Sequence, residues 1–301
     1  MSCDAKVDVS VVMPVFNEVG HLHAELERIQ GALDKSPYRY ELVVIDDGST
    51  DGSTEALELV EGIRLIRFAQ NRGSGLSRKV GTQAARGEVV VWTDVDMSYP
   101  NDRIPWLVDQ LKGFDQVVGA RTSEEGTKKA LRVPAKWFIR MLAQYLTQTS
   151  IPDLNSGFRA FRRPVALQYL KFLPVGFSCV TTITMAFLAN GYSVRYVDIL
   201  YAKRAGSSKF HWSTDTRKYV TQVIRMVLTY NPLRVFLPLG FFLLAVGSAK
   251  LVFDFVDKDF RVGTNTIVLL MAAFQVMVMG LLADLVGRLG KPTDEVPPAS
   301  L

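Results

Sequence analysis

An α/β fold, with a mostly parallel sheet and helices on both faces, is predicted by three features of the sequence. Short apolar runs rich in Val and Ile alternate with segments of helical periodicity from Val9 to Thr93. The runs end in loops dense in Asp, Asn, Gly and Ser, the composition of connections that carry function. Two long apolar stretches near the C-terminus stand apart from this alternation and predict two transmembrane helices.

Val9 to Val15 reads as a buried strand stopped by Pro14 and Asn17, and Gly20 to Leu33 is helical through Leu22, Leu26, Ile29 and Leu33. Tyr40 to Ile45 is the second strand and runs straight into Asp46-Asp47-Gly48-Ser49-Thr50-Asp51-Gly52-Ser53. A helix from Ser53 to about Glu61, a strand Ile63 to Phe68, a helix Ser74 to Ala85 and a strand Val89 to Thr93 repeat the unit. In open sheets of this kind ligands bind outside the carboxyl ends of the strands, where the strand order reverses. Pro14 to Glu18, Asp46 to Asp51, Asn71 to Gly75 and Asp94 to Asp96 all fall at such ends and are expected to converge on one crevice.

The most telling of these loops comes after Val89-Val90-Val91-Trp92-Thr93. Asp94 and Asp96, one residue apart, face one side if the extended conformation persists. Two carboxylates in one space repel unless a cation lies between them, and a hard divalent ion, Mg²⁺ or Mn²⁺, completed by substrate phosphates is the usual solution. An acidic turn after a strand has the same short signature; its setting among the other loops favours the metal. Gly73-Ser74-Gly75 opens a helix either as a tight turn or as a phosphate loop, and Arg78 stands where a dinucleotide site would carry its third glycine. Arg78 could still reach a diphosphate from the first turns of that helix.

The chain has 301 residues, 48% hydrophobic content and a net charge of +5. That charge suits nucleic acid, an anionic membrane or a phosphorylated substrate. Lys203, Arg204, Lys209, Arg217, Lys218, Arg225 and Arg234 gather against the single acid Asp215, directly before the apolar stretches. Trp212, Tyr219, Val223, Met226, Val227 and Tyr230 share one helical face there, the pattern of a helix lying in the headgroup region of a membrane, so a membrane and no nucleic acid is the expected partner. Val235 to Ala249, extended to Phe253 by a snorkelling Lys250, and Thr266 to Ala283 have bilayer-spanning lengths. The basic flank before the first span, with Arg288 and Lys291 after the second, places the large domain and both termini in the cytoplasm. Met1 to Lys6 is polar, and Asp8, Ser10 and Pro14 interrupt the apolar Val7 to Phe16, unlike a signal peptide. Cys3 and Cys179 form no metal-ligand spacing, and His21, His23 and His211 lack companions for ligation. The expected organisation is a catalytic domain over residues 1–210, an interfacial region over 211–232, a transmembrane hairpin over 233–290 and a disordered tail over 291–301.

Taken together, Val12-Met13-Pro14-Val15-Phe16-Asn17-Glu18, Ile45-Asp46-Asp47-Gly48-Ser49-Thr50-Asp51, Asn71-Arg72-Gly73-Ser74-Gly75, Thr93-Asp94-Val95-Asp96 and Asn155-Ser156-Gly157-Phe158-Arg159 resemble the family 2 glycosyltransferases of the GT-A fold, a Rossmann-like architecture. Gly119-Ala120-Arg121 and Arg204-Ala205-Gly206-Ser207-Ser208-Lys209 make the chain similar to the polyprenyl-phosphate glycosyltransferases within that family. The resemblance implies that a hexose-type sugar passes, with inversion, from a UDP- or GDP-sugar to the phosphate of a polyprenyl or dolichyl lipid. It implies that Pro14, Val15, Asn17, Glu18, Asp46, Asp47, Gly73, Arg78 and Asp94 bind the sugar nucleotide. Asp94 and Asp96 would hold the metal, with Ser98 where relatives often have a liganding Gln. Arg121, Arg132, Ser156, Arg159, Arg204, Ser208 and Lys209 would grip the acceptor phosphate, and Arg121, Arg204 and Lys209 would join the two aspartates in catalysis. The pattern is compatible with a homo-oligomer.

A lipid phosphate is already anionic and needs cations to position it, whereas a hydroxyl acceptor needs a base. Asp153, just upstream of Ser156, is the candidate base for the second reading, transfer to a glycolipid or glycan hydroxyl. A third reading is a non-catalytic sugar-nucleotide-binding membrane scaffold, which retention of both aspartates disfavours.

Overall fold

The computed structural model describes residues 6–122, 149–176, 178–202, 232–257 and 262–289, together with Met141 and Gln144. The chain divides into two compact units, residues 1–222 and 223–295. In the first, strands β1 (Val9–Val15), β2 (Tyr40–Asp46), β3 (Ile63–Arg67), β4 (Val89–Trp92), β5 (Gln116–Arg121), β6 (Arg159–Arg162) and β7 (Val194–Ile199) form one sheet in the order β3-β2-β1-β4-β6-β5-β7. All neighbours are parallel except β6, which runs antiparallel to both β4 and β5.

Strand alternation sorts the core into two layers. Val9, Val11, Met13, Leu42, Val44, Val91 and Val117 pack with Leu22, Leu26 and Ile29 of α1 (Val19–Leu33), Leu57 of α2 (Ser53–Glu58) and Ile104, Leu107 and Val108 of α4 (Ile104–Asp109). The opposite face receives α3 (Ser74–Ala84), whose Gly81 lies against Val12 and Ile45, and whose Thr82 hydroxyl accepts the Trp92 indole N–H at 2.9 Å. Trp92 and Phe161 meet edge to face, and Phe161 in turn meets Phe187 of α6 (Cys179–Ala189), which packs with α5 (Arg163–Tyr169). The helices therefore cover both faces, as the alternation predicted.

The topology decides where the loops go. β1 to β3 step outward in one direction and β4 returns to the other side of β1, so the order reverses between β1 and β4. That reversal leaves a crevice at their carboxyl ends. Because β6 is antiparallel, its amino end lies beside the carboxyl ends of β4 and β5: Trp92 pairs with Arg159 and Val118 with Arg159. The Asp153 to Phe158 loop is thereby delivered to the same edge as Asp94, Arg121 and Ile199.

In the second unit, α7 (Leu233–Asp257) and α8 (Thr264–Leu289) form an antiparallel hairpin, both long and apolar enough to cross a membrane. At about 1.5 Å per residue each exceeds the roughly 30 Å of a hydrocarbon core. Gly240 faces Met277, Gly247 faces Leu270 and Gly280 faces Phe236, so small residues let the helices approach. Asp254, buried near the hairpin's turn, accepts the Gly263 N–H at 3.0 Å and the Thr266 hydroxyl. Phe241, Phe242, Phe274, Leu281 and Leu282 point outward, as lipid-facing residues do.

Candidate functional site

Loops after β1, β2 and β3 are stitched into one wall. Asn17, at a φ of 53°, receives the Thr50 N–H on its side-chain oxygen at 2.8 Å and donates its own N–H to the Ser49 hydroxyl at 3.1 Å. The amides of Glu18 and Val19 donate to Ser53 Oγ and Asp51 Oδ2. Asp46 accepts the Ser49 N–H at 2.9 Å and the Thr54 hydroxyl, while Asp47 accepts the amides of Arg72 at 2.7 Å and Gly73 at 2.8 Å. Both aspartates are buried. Burial pushes the Asp47 carboxyl up, and the neighbouring Asp46 charge adds to this against the two amides. The acidic pair thus ties the loops after β2 and β3 together. Val15 likewise belongs to the core, its side chain fully buried, and Pro14 is half-buried at the end of the strand.

The Gly73-Ser74-Gly75 segment has a structural cause of its own. Gly73 holds a φ of 95°, and a Cβ there would lie 2.7 Å from the Val175 carbonyl oxygen. One at Gly75 would lie 2.6 Å from the carbonyls of Pro174 and Gly176. These glycines let the loop press against the Pro174 to Gly176 backbone.

The aspartate turn forms the facing wall. Asp94 Oδ1 accepts Arg78 Nη2 at 2.5 Å; Arg78 is buried over the Trp92 ring while Asp94 keeps about a quarter of its side chain exposed. Asp96 is buried, and Ser98 donates both its amide, at 3.1 Å, and its hydroxyl to Asp96 Oδ1. Met97, directly after the pair, has a φ of 60°, which a non-glycine residue adopts at a cost of about 1–3 kcal/mol. Tyr99 stacks on Phe158, accepts the Gly157 N–H at 2.7 Å and meets Tyr201 edge to face. The Ala202 N–H reaches the Ser98 carbonyl at 3.0 Å, so the chain leaving β7 is tied to the aspartate turn two residues before Arg204.

Arg121 and Asp153 form a two-pronged pair, Nε to Oδ2 at 2.6 Å and Nη2 to Oδ1 at 3.0 Å, with both side chains largely buried. Burial pushes the Asp153 carboxyl up, but the Arg121 guanidinium and the amides of Asn155 and Arg121 outweigh it and hold the group below the ordinary carboxylate value. Arg121 also lies over the Tyr201 ring.

Two residues of the expected acceptor set are placed elsewhere. Arg159 is fully buried, donating to the carbonyls of Ser156 and Val180 and to the Thr184 hydroxyl at 2.7 Å. Ser156 is equally buried, its hydroxyl taken by the Phe158 amide. The antiparallel register turns Arg159 toward α6, and both residues brace the loop rather than face an acceptor. Arg132, Arg204, Ser208 and Lys209 lie outside the described residues, as do the interfacial segment from Trp212 to Tyr230 and the tail.

Sequence reasoning missed Glu25, Tyr99, Asn101 and the contact made by Gly157. Glu25 left a signal: it sits between Leu22 and Ile29 at helical spacing, on the buried stripe of α1. Tyr99 and Asn101 left none.

For a metal, the donor set fits. Asp94 and Asp96 offer hard carboxylate oxygens of the type Mg²⁺ and Mn²⁺ prefer. Among the described residues no group of three or more His, Cys, Asp or Glu is gathered, so the two aspartates would be its protein carboxylates.

The switch point of this open α/β sheet thus bears an aspartate turn, a second pair of buried aspartates and a buried Arg. The chain belongs to Glycosyl transferase family 2, whose model matches residues 10–170, and residues 231–289 match the GtrB C-terminal hairpin. It is a glycosyltransferase, with the GT-A fold and a C-terminal hairpin of two apolar helices. Undecaprenyl-phosphate 4-deoxy-4-formamido-L-arabinose transferase of Aeromonas hydrophila subsp. hydrophila is 30% identical over 93% of this chain and 89% of its own length. The protein of that name in Pectobacterium atrosepticum is 29% identical over 94% and 89%. Among solved structures, glucosyl-3-phosphoglycerate synthase from Mycobacterium tuberculosis in complex with Mn²⁺, uridine-diphosphate and phosphoglyceric acid superposes with a TM-score of 0.59 at 22% identity, covering 73% of this chain and 78% of that one. That likeness extends to the fold.

Proposed function

We propose that the chain transfers a monosaccharide from a nucleoside-diphosphate sugar to the phosphate of a polyprenyl lipid at the membrane surface, with inversion and with Mg²⁺ or Mn²⁺ on Asp94 and Asp96. The observation that carries the choice of acceptor is the Arg121–Asp153 pair. Asp153, the candidate base for a hydroxyl acceptor, is held ionised by a guanidinium on both its oxygens and is a poor proton acceptor there. An anionic lipid phosphate has no proton to lose, and a guanidinium fixed in plane by a carboxylate is well prepared to bind its oxygens. The relatives named for undecaprenyl phosphate support the same choice.

A bound divalent ion would neutralise the charge developing on the leaving diphosphate. The chain's own residues prepare that site: Arg78 fixes one oxygen of Asp94 from below, and Ser98 fixes one oxygen of Asp96 through two donors. The second donor role makes Ser98 an orienting group for the ligand Asp96. Arg204 and Lys209, which follow Ala202 in the sequence, are assigned to the acceptor phosphate on this reading. The basic flanks of the hairpin put the catalytic unit and both termini on the cytoplasmic side.

The test is Arg204→Ala and Lys209→Ala in the full chain, with transfer to polyprenyl phosphate and nucleotide binding measured separately. Each charge-assisted phosphate contact is worth about 1.5–3 kcal/mol, so transfer falls roughly tenfold to a hundredfold while nucleotide affinity is unchanged. Weakened nucleotide binding with normal lipid transfer would move both bases to the donor site. No effect on either would make the cluster a membrane anchor and restore the hydroxyl-acceptor reading.

A further inference from the structure

Helix α1 buries a carboxylate that the proposed reaction does not use. Glu25 has no exposed surface, and its Oε2 has no hydrogen-bond partner among the described residues. Among the described residues the cation paired with it is Arg28, which stands 3.6 Å from Oε1 and is itself partly exposed. A charge removed from water with so little compensation is costly, and a hydrophobic residue between Leu22 and Ile29 would fit the stripe better. What Glu25 does hold is Asn101: its Oε1 accepts Asn101 Nδ2 at 2.6 Å.

The rest of the Asn101 side chain is committed to the aspartate turn. Its Nδ2 also donates to the Asp94 carbonyl at 3.0 Å, and its Oδ1 accepts the Thr93 hydroxyl. An amide can turn over, exchanging oxygen and nitrogen. Turned over here, its oxygen would meet the Glu25 carboxylate and the Asp94 carbonyl, both acceptors. An acceptor at position 25 therefore keeps the N–H of Asn101 on the Asp94 carbonyl. Burial pushes the Glu25 carboxyl up; Asn101 and Arg28 counter that, and the Asp96 charge reinforces it, placing Glu25 in the field of the same turn.

We propose that Glu25 is a positioning residue for the metal turn, acting through the Asn101 amide to fix the backbone at Thr93 and Asp94. This rests on the reading of Asp94 and Asp96 as metal ligands. Groups that orient ligands in this way typically change metal affinity by about 10–100-fold when removed.

The experiment is titration of the full chain in detergent with Mn²⁺ alone, followed by electron paramagnetic resonance, beside thermal midpoints without metal. Glu25→Ala should weaken Mn²⁺ binding roughly tenfold or more, and Asn101→Ala by a similar factor. The double variant should be no worse than either single one to within about twofold, since the two act in series. Glu25→Gln, which can still accept from Asn101, should bind Mn²⁺ like the wild type. If Glu25→Ala does not fold, Asn101→Ser carries the decision through the same loss of affinity. Unchanged affinity in the folded variants, additive losses, or a Glu25→Gln as weak as Glu25→Ala would each overturn the inference. A wild-type chain that takes up no Mn²⁺ would instead overturn the metal reading itself.

Discussion

Gly157→Ala places the smallest side chain directly against the aspartate turn. A Cβ at Gly157 would lie 2.9 Å from Asp94 Oδ2, 3.2 Å from Arg78 Nη2 and 3.3 Å from the Tyr99 hydroxyl. Ordinary contacts of a Cβ begin near 3.4 Å, so something must retreat by about half an ångström. Tyr99 is packed between Phe158 and Tyr201, and Arg78 is buried over Trp92, which leaves the partly exposed Asp94 as the group that moves. A misplacement of about 1 Å at a reacting centre can lower a rate a hundredfold, so half of that predicts a loss of roughly tenfold in kcat. The assay is sugar transfer at saturating donor and acceptor across a range of Mn²⁺, with circular dichroism to confirm the fold. Full activity would refute the placement of Gly157 against a working carboxylate. A loss that tracks unfolding would reduce the effect to packing.

Asp96→Asn should lower transfer at least about a hundredfold with the fold retained, the scale of losing one electrostatic catalytic group; normal turnover with chelator present would contradict it. Asp153→Asn breaks a largely buried pair and should destabilise the chain by about 3–5 kcal/mol at neutral pH. Because Asp153 is held below the ordinary value, the pair's contribution is present above the unfolded pKa and is lost as pH falls through the folded one. The deficit of the variant, read from denaturation midpoints, should therefore shrink below about pH 4, and a deficit independent of pH would contradict the ion pair. Reporter fusions at Leu301 and within residues 257–261 should report opposite sides of the membrane; the same side at both would leave at most one spanning helix.

The half of the sheet from β1 to β4 was legible because β-branched runs of four to seven residues lie between strongly periodic helices, and each ends in a loop of polar, turn-forming residues. The apolar hairpin was legible from length alone. Beyond β4 the signal failed for physical reasons. β6 is four residues, Arg-Ala-Phe-Arg, with too little apolar content to announce a buried strand, and its direction is set by pairing with β4 and β5. That antiparallel register buries Arg159, which the family resemblance implies as a ligand of the acceptor phosphate. Asp46 and Asp47 lie at a strand end as expected, yet their oxygens are occupied by amides and hydroxyls of neighbouring loops, partners invisible before the loops converge. Glycines 73 and 75 mark a close backbone approach, a meaning that a short glycine motif shares with phosphate binding.

The chemical nature of the acceptor separates lipid-phosphate transfer from its alternatives. Purified full-length chain in detergent, given a labelled nucleoside-diphosphate sugar, Mn²⁺ and either a polyprenyl phosphate or the polyprenol of the same length, isolates that choice. Mass spectrometry of the extracted lipid should find the sugar joined through the phosphate, with no product from the polyprenol. Sugar on the free hydroxyl of the polyprenol, with the phosphate lipid unmodified, would contradict transfer to a lipid phosphate.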